Sequence, residues 1–207
     1  KAEDFAKQMV DFVERLGVNV VGGCCGTTPN HIRQLVERIG KQKPATRVVE
    51  RIPCLASALR AVDMRQQPAP FLIGERLNTQ GSRVFKKAML TEDFTTAAQL
   101  AEQQIAGGAH GIDLCTALTE RNDEAQLMTR LVQTVAPISD AALVIDSTDP
   151  SVMEAALKAA PGRCLLNSVH LEDGGVKARI VFRLAVEHNA AILALTMDEA
   201  GMARSAE

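Results

Sequence analysis

The chain has 207 residues, 46% hydrophobic and 23% charged, with a formal net charge of −2, the composition of a globular protein of one or two domains. No window approaches the ~18 uninterrupted apolar residues of a transmembrane helix, which argues against a membrane protein. Near-neutral charge without basic runs leaves no electrostatic footprint for nucleic acid, and the 3% aromatic content, all of it Phe, offers no base-stacking surface.

The first predicted element is "AEDFAKQMVDFVERLG", where Phe5, Met9, Phe12 and Leu16 recur at spacings of four, three and four. This is an amphipathic helix closed by Gly17. "VNVVGG" follows as a short buried strand. Thr28 has the chemistry of an N-cap and Pro29 sits at the first helical position, opening "PNHIRQLVERIG", which ends at Gly40. Residues 1–40 therefore read helix, strand, helix. Over residues 41–70 prolines at 44, 53, 68 and 70 break the periodicity. This predicts a linker wrapped on a surface, with one short helix near Leu55–Val62.

From Phe71 the chain alternates. The strands are "FLIGERLN", "GIDLCTA", "ALVIDST", "RCLLNSV" and "AAILALTM", and a helix stands between each pair. Strict alternation at roughly 30-residue spacing means a parallel sheet, either doubly wound or a (β/α)₈ barrel. Asn78, Asp113, Asp146 and Asn167 fall at the C-terminal ends of four successive strands. A barrel gathers all such ends around one mouth, whereas an open sheet gathers them only at its switch point. No GxGxxG follows the first strand, so the barrel is favoured. The 137 residues from Phe71 to Glu207 fall short of the roughly 250 of a full barrel. The expected fold class is thus α/β, parts of two (β/α)₈ TIM barrels joined by a linker. Residues 1–42 end the first barrel, 43–70 link, and 71–207 begin the second.

Five cysteines, Cys24, Cys25, Cys54, Cys115 and Cys164, form an odd set without disulfide spacing. With no signal peptide they predict a reducing, cytoplasmic setting. A first residue of Lys rather than Met predicts a piece of a longer polypeptide. Adjacent cysteines after a buried strand are ordinarily small core residues. The alternative is that both thiolates bind one Zn²⁺, the surrounding glycines supplying the needed backbone twist.

"GGCCGTTPNHI" resembles the last strand and loop of the homocysteine S-methyltransferase family, in which such a stretch supplies two of three zinc-binding cysteines. The resemblance implies zinc on Cys24 and Cys25, with the third ligand outside these residues. Zinc there lowers the pKa of a homocysteine thiol. His31 lies inside the following helix and is taken as structural. "FLIGERLNTQGS" is similar to the first strand of the pterin-binding family. "VIDSTDPSVMEAALKAAPGRCLLNSV" resembles that superfamily's third and fourth strands. The likeness implies that Asp146 and Asn167 hold the pterin ring, with Asp113 and Asn78 as further contacts and Asn167 as the catalytic group. A carboxylate and an amide can pair with the pyrimidine edge of such a ring. Cys115 stands where the family often has Asn.

Together the two likenesses imply a cobalamin-dependent methyltransferase. It would pass a methyl group from 5-methyltetrahydrofolate through cobalamin to zinc-bound homocysteine, giving methionine. A cobalamin-binding module is then required in cis or in trans. Three alternatives remain: a pterin-dependent methyltransferase serving a separate corrinoid protein, a dihydropteroate-synthase-like enzyme, and a non-catalytic pterin- or zinc-binding module. His170 with Glu172 and Asp173 reads as a solvated loop. Met197–Glu199 faces the same mouth.

Overall fold

Apolar spacing becomes a helix pair at the start of the chain. The computed structural model describes residues 1–44 and 52–204. It divides into two units, Lys1–Arg51 and Ile52–Glu207. In the first unit helix α1 (Ala2–Leu16) carries Glu3 and Asp4 in its first turn and Arg15 in its last, charges that complement the helix dipole. It stops at Gly17 in the left-handed conformation. Helix α2 (Pro29–Ile39) begins at the predicted cap, Thr28, and Ala6 and Leu35 are buried in this unit.

The expected strand over Val18–Gly23 does not form. A strand needs a ladder partner, and among the described residues none is present for it. Val20 is accordingly 89% exposed. The first unit thus shows helices and no sheet among its described residues.

The second unit begins with an antiparallel hairpin, β1 (Cys54–Ala56) and β2 (Ala61–Asp63), where a short helix was expected. Leu55 and Val62 are seven residues apart, a spacing that fits one face of a helix as well as a cross-strand pair. Strand Ala56 bonds in both directions with Arg163, and the Ser57 hydroxyl accepts from the N–H groups of Leu59 and Arg60. These bonds decide for the hairpin.

Five parallel strands follow: β3 (Ile73–Asn78), β4 (Gly111–Cys115), β5 (Ala142–Asp146), β6 (Leu165–Val169) and β7 (Ala191–Ala194). Helices α3 (Arg83–Leu90) and α4 (Phe94–Ala106) lie between β3 and β4. α5 (Glu124–Val135), α6 (Pro150–Ala159) and α7 (Val176–Glu187) fill the later connections. The first connection thus holds two helices where one was expected. The strands are hydrogen-bonded in the order β3-β4-β5-β6-β7. Neighbours in sequence are neighbours in space. A doubly wound sheet would reverse this order at a switch point, so the sheet keeps the sequential order that a (β/α)₈ barrel requires. A two-residue hairpin, β8 (Met197–Asp198) with β9 (Gly201–Met202), follows the last strand.

The two faces of the sheet do different things. Ile112, Leu114, Leu143, Ile145 and Leu166 pack among the helices in the main core. On the inner face Ala142, Val144 and Leu165 form a smaller cluster with Leu55 and Val62 of the hairpin. These three sit at the early positions of β5 and β6, so the hairpin covers the N-terminal floor of the arc. The opposite, C-terminal end is left for polar groups.

Candidate functional site

The inner face turns polar one or two positions above that floor. Asp146 pairs in register with Asn167, and Asn78 with Cys115. Asp113 lies deeper, opposite Val144, and is only 2% exposed. The amide of Asn78 donates to Asp113 Oδ2 at 3.1 Å and to Asp146 Oδ2 at 3.0 Å. The amide of Asn167 donates to Asp113 Oδ1 at 3.3 Å. The Gln80 N–H donates to Asn78 Oδ1 at 2.8 Å, which fixes which end of the Asn78 amide faces the carboxylates. All four sequence-predicted residues therefore meet in one hydrogen-bonded cluster drawn from four successive strands.

Burial and crowding set its protonation. Burial, then the charge of Asp146, pushes the Asp113 carboxyl up to about 6. Burial also raises the Asp146 carboxyl, against hydrogen bonds from Cys115 and Asn78. The Cys115 thiol is pushed up to about 11, chiefly by burial. It stays protonated at neutral pH and acts as a donor to Asp146. Both Asp113 oxygens accept amide N–H groups, so this residue orders its neighbours from below. Asp146 and Asn167 stand higher, half-buried, and line a small cavity with Ser147, His170 and Lys177. Among the described residues Asn167 Oδ1 has no hydrogen-bond partner. A carboxylate beside an amide carbonyl suits a flat ligand edge rich in N–H donors.

The Cys24–Cys25 pair lies in the first unit, in a loop ahead of α2. The Cys24 N–H donates to Thr27 Oγ1 and its carbonyl accepts from the Thr27 N–H, both at 3.0 Å. A side chain at Gly23 would meet Thr27 Oγ1 at 2.1 Å, and Gly26 has φ of 84°. This turn needs its glycines. Both thiols are exposed and line a depression with Phe5, Met9 and His31. His31 is tied to the cap: its Nδ1 accepts from the Thr28 N–H at 3.3 Å and lies 2.8 Å from the Thr28 hydroxyl. Among the described residues no group of three or more His, Cys, Asp or Glu side chains converges to hold a metal. Two soft thiols fit half of a tetrahedral zinc set.

Of the loop groups, His170 borders the small cavity, whereas Glu172 and Asp173 are exposed. His170 Nδ1 lies 3.2 Å from Glu172 Oε2, and the Asp173 carboxylate accepts from the Lys177 N–H at the start of α7. Met197–Glu199 belongs to the small terminal hairpin. Sequence reasoning missed Gln104 and Gly74, which shape β3 below the cluster. A glycine inside a strand pattern was the available signal.

A family model described as pterin binding enzyme matches residues 74–207, and one described as homocysteine S-methyltransferase matches residues 1–39. The methionine synthase of Mycobacterium leprae is 39% identical to the chain, over 99% of the chain and 18% of the relative. That of Mycobacterium tuberculosis is 38% identical, over 99% and 17% respectively. The chain thus spans less than a fifth of the length of these curated relatives. No helix among the described residues is long and apolar enough to cross a membrane. With its family model covering the alternating β/α block that carries the polar cluster, the chain belongs to the pterin-binding enzyme family.

Proposed function

We propose that the protein takes part in methyl transfer from 5-methyltetrahydrofolate, by way of cobalamin, to zinc-activated homocysteine, giving methionine. The observation that carries this reading is the convergence of Asn78, Asp113, Asp146 and Asn167 at one mouth, in a chain that also bears the Cys24–Cys25 turn. The Asp146 carboxylate accepts N–H groups of the pterin's pyrimidine edge, and Asn167 holds the ring beside it. Asn167 also acts as the catalytic group. It fixes the orientation in which the ring's N5 gives up its methyl and gains a proton. Asp113 and Asn78 keep those two in place.

Cys24 and Cys25 would hold zinc, which lowers the pKa of a bound thiol so that homocysteine reacts as thiolate at neutral pH. In this reading residues 1–42 serve the homocysteine side, 43–70 connect, and 71–207 serve the pterin side. Cobalamin is held by a module in cis or in trans, and the setting is cytoplasmic.

The test uses the longest natural polypeptide that contains this chain, loaded with zinc and mixed with methyltetrahydrofolate and cob(I)alamin. The expected result is rapid loss of cob(I)alamin absorbance, slowed at least 100-fold by Asn167→Ala. No loss from folded, zinc-loaded protein would sink the proposal.

A further inference from the structure

Strand β3 contains an irregularity that the pterin site depends on. Gly74 pairs with Ile112 and Leu77 with Leu114, so Glu75 and Arg76 together oppose the single residue Asp113. This is a β-bulge, one extra residue on one strand. Side chains alternate along a strand, and a slip of one residue exchanges the faces. A side chain at Gly74 would point into helix α4, where its Cβ would meet Gln104. From that starting face a regular strand would send Leu77 inward and Asn78 toward the helices. The extra residue reverses this. Leu77 is 0% exposed in the helix-packed core, and Asn78 enters the arc to reach Asp113 and Asp146.

A bulge leaves a backbone N–H without a ladder partner. Here that donor is Arg76 N–H, and it bonds to Gln104 Oε1 at 2.7 Å. The Gln104 side chain is held in turn, its Nε2 donating to the Leu100 carbonyl at 3.2 Å, and it is only 8% exposed. The space it occupies is the space a Cβ at position 74 would need: the ideal Cβ lies 2.6 Å from Gln104 Oε1 and 2.9 Å from its Cδ. Glycine at 74 and glutamine at 104 are therefore one device. The Arg76 side chain adds a bond to Gln103 Oε1 at 3.0 Å on the same helix.

We infer that Gln104, seated over Gly74, is a positioning residue for Asn78: it holds the β3 bulge that aims the Asn78 amide at the two carboxylates of the ligand site. This rests on the pterin reading only for what the aimed amide serves. The placement itself can be tested without any ligand.

Residue-resolved hydrogen exchange on the intact chain provides that test. The Gln80 N–H, which donates to Asn78 Oδ1, reports where Asn78 sits, and the Arg76 N–H reports the bulge. In Gln104→Ala both amides should exchange at least 10-fold faster, while the Ile145 amide in the core keeps its protection. Gly74→Ala, which drives Gln104 aside without removing it, should do the same. Deleting Arg76 restores one-to-one pairing with Leu77 and Asn78 still on their present faces. In that background Gln104→Ala should leave Gln80 unchanged. Fast Arg76 with a protected Gln80 in both single variants would overturn the inference.

A second arm measures methyltetrahydrofolate binding. Gln104→Ala should weaken it about 10-fold alone and add nothing in an Asn78→Ala background, because the two losses share one cause. Losses that multiply would mean a merely structural glutamine. If the longest natural polypeptide that contains this chain bound no pterin, the pterin reading would fall, and the exchange arm would still decide the bulge.

Discussion

The two candidate sites are built in opposite ways. Cys24 and Cys25 are neighbours in sequence, exposed, and held by one short turn that Thr27 closes. Asn78, Asp113, Asp146 and Asn167 come from four strands spread over about ninety residues (167 less 78 is 89), and they are locked to one another before any ligand arrives. A metal can organise its own ligands, since its binding energy is several times that of a hydrogen bond. A pair of thiols set by a single turn would therefore be enough as the first unit's share of a metal site. An uncharged ring has no such strength, so its contacts must be fixed in advance by the protein. The contrast predicts independent failure of the two sites.

The largest effect expected is a reciprocal loss. Asn167→Ala should lower methyltetrahydrofolate affinity about 100-fold, several hydrogen-bond equivalents, and leave zinc uptake untouched. Cys25→Ala should abolish stoichiometric zinc uptake and leave pterin affinity within twofold. Calorimetry with each ligand on each variant checks both. A variant that loses both ligands would mean the sites are not separate.

Stability should divide along the same line. Leu55 is 0% exposed and packs on Val144 and Leu165 at the floor of the arc. Leu55→Ala removes that packing and should cost about 2–5 kcal/mol. The loss should appear in the unfolding transition of the second unit, followed by chemical denaturation, and not in that of the first.

The buried carboxylate supplies the next effect, and its sign is fixed. Asp113 is raised from 3.8 to about 6 in the folded chain. The folded state then holds a proton that the unfolded chain releases, and stability falls as pH rises from 3.8 through about 6. The full fall is about 2–3 kcal/mol. Exposed carboxylates such as Glu92, held low by bonds from Arg121 and Arg130, work the other way. The decisive quantity is therefore the difference between wild type and Asp113→Asn. Their stability curves should converge below pH 4 relative to pH 7, and parallel curves would refute the proton on Asp113.

How much of this was legible beforehand follows from the range of each interaction. The β/α alternation and the four polar strand ends were readable, because a residue at the end of an apolar run is a local pattern. The convergence of those four residues on one mouth followed from barrel topology. The hairpin was not readable. Leu55 and Val62 satisfy two periodicities, and only the bonds of Ala56 with Arg163, more than a hundred residues away, choose between them. The bulge was hidden for the same reason: "GERLN" shows a glycine and two charges, and the meaning of Gly74 appears only when Gln104 is placed against it. The strand over Val18–Gly23 failed in the other direction. Its apolar run promised burial, but a strand is completed by its neighbours, and among the described residues it has none.

The smallest effect bears on the metal side and on His31. Thr28 caps α2, and His31 Nδ1 accepts from the Thr28 N–H while facing its hydroxyl. Removing either partner should cost the first unit about 1 kcal/mol, as N-cap losses do. Thr28→Ala and His31→Ala together should cost little more than one alone, because they break the same reciprocal bond. Zinc affinity should stay within twofold in His31→Ala, since a ring tied to a cap by Nδ1 and packed edge-on against Phe5 is spent on structure. A large loss of zinc affinity in that variant, with the helix intact by circular dichroism, would instead make His31 a ligand. The thiol pair would then be closer to a complete set than its two donors suggest.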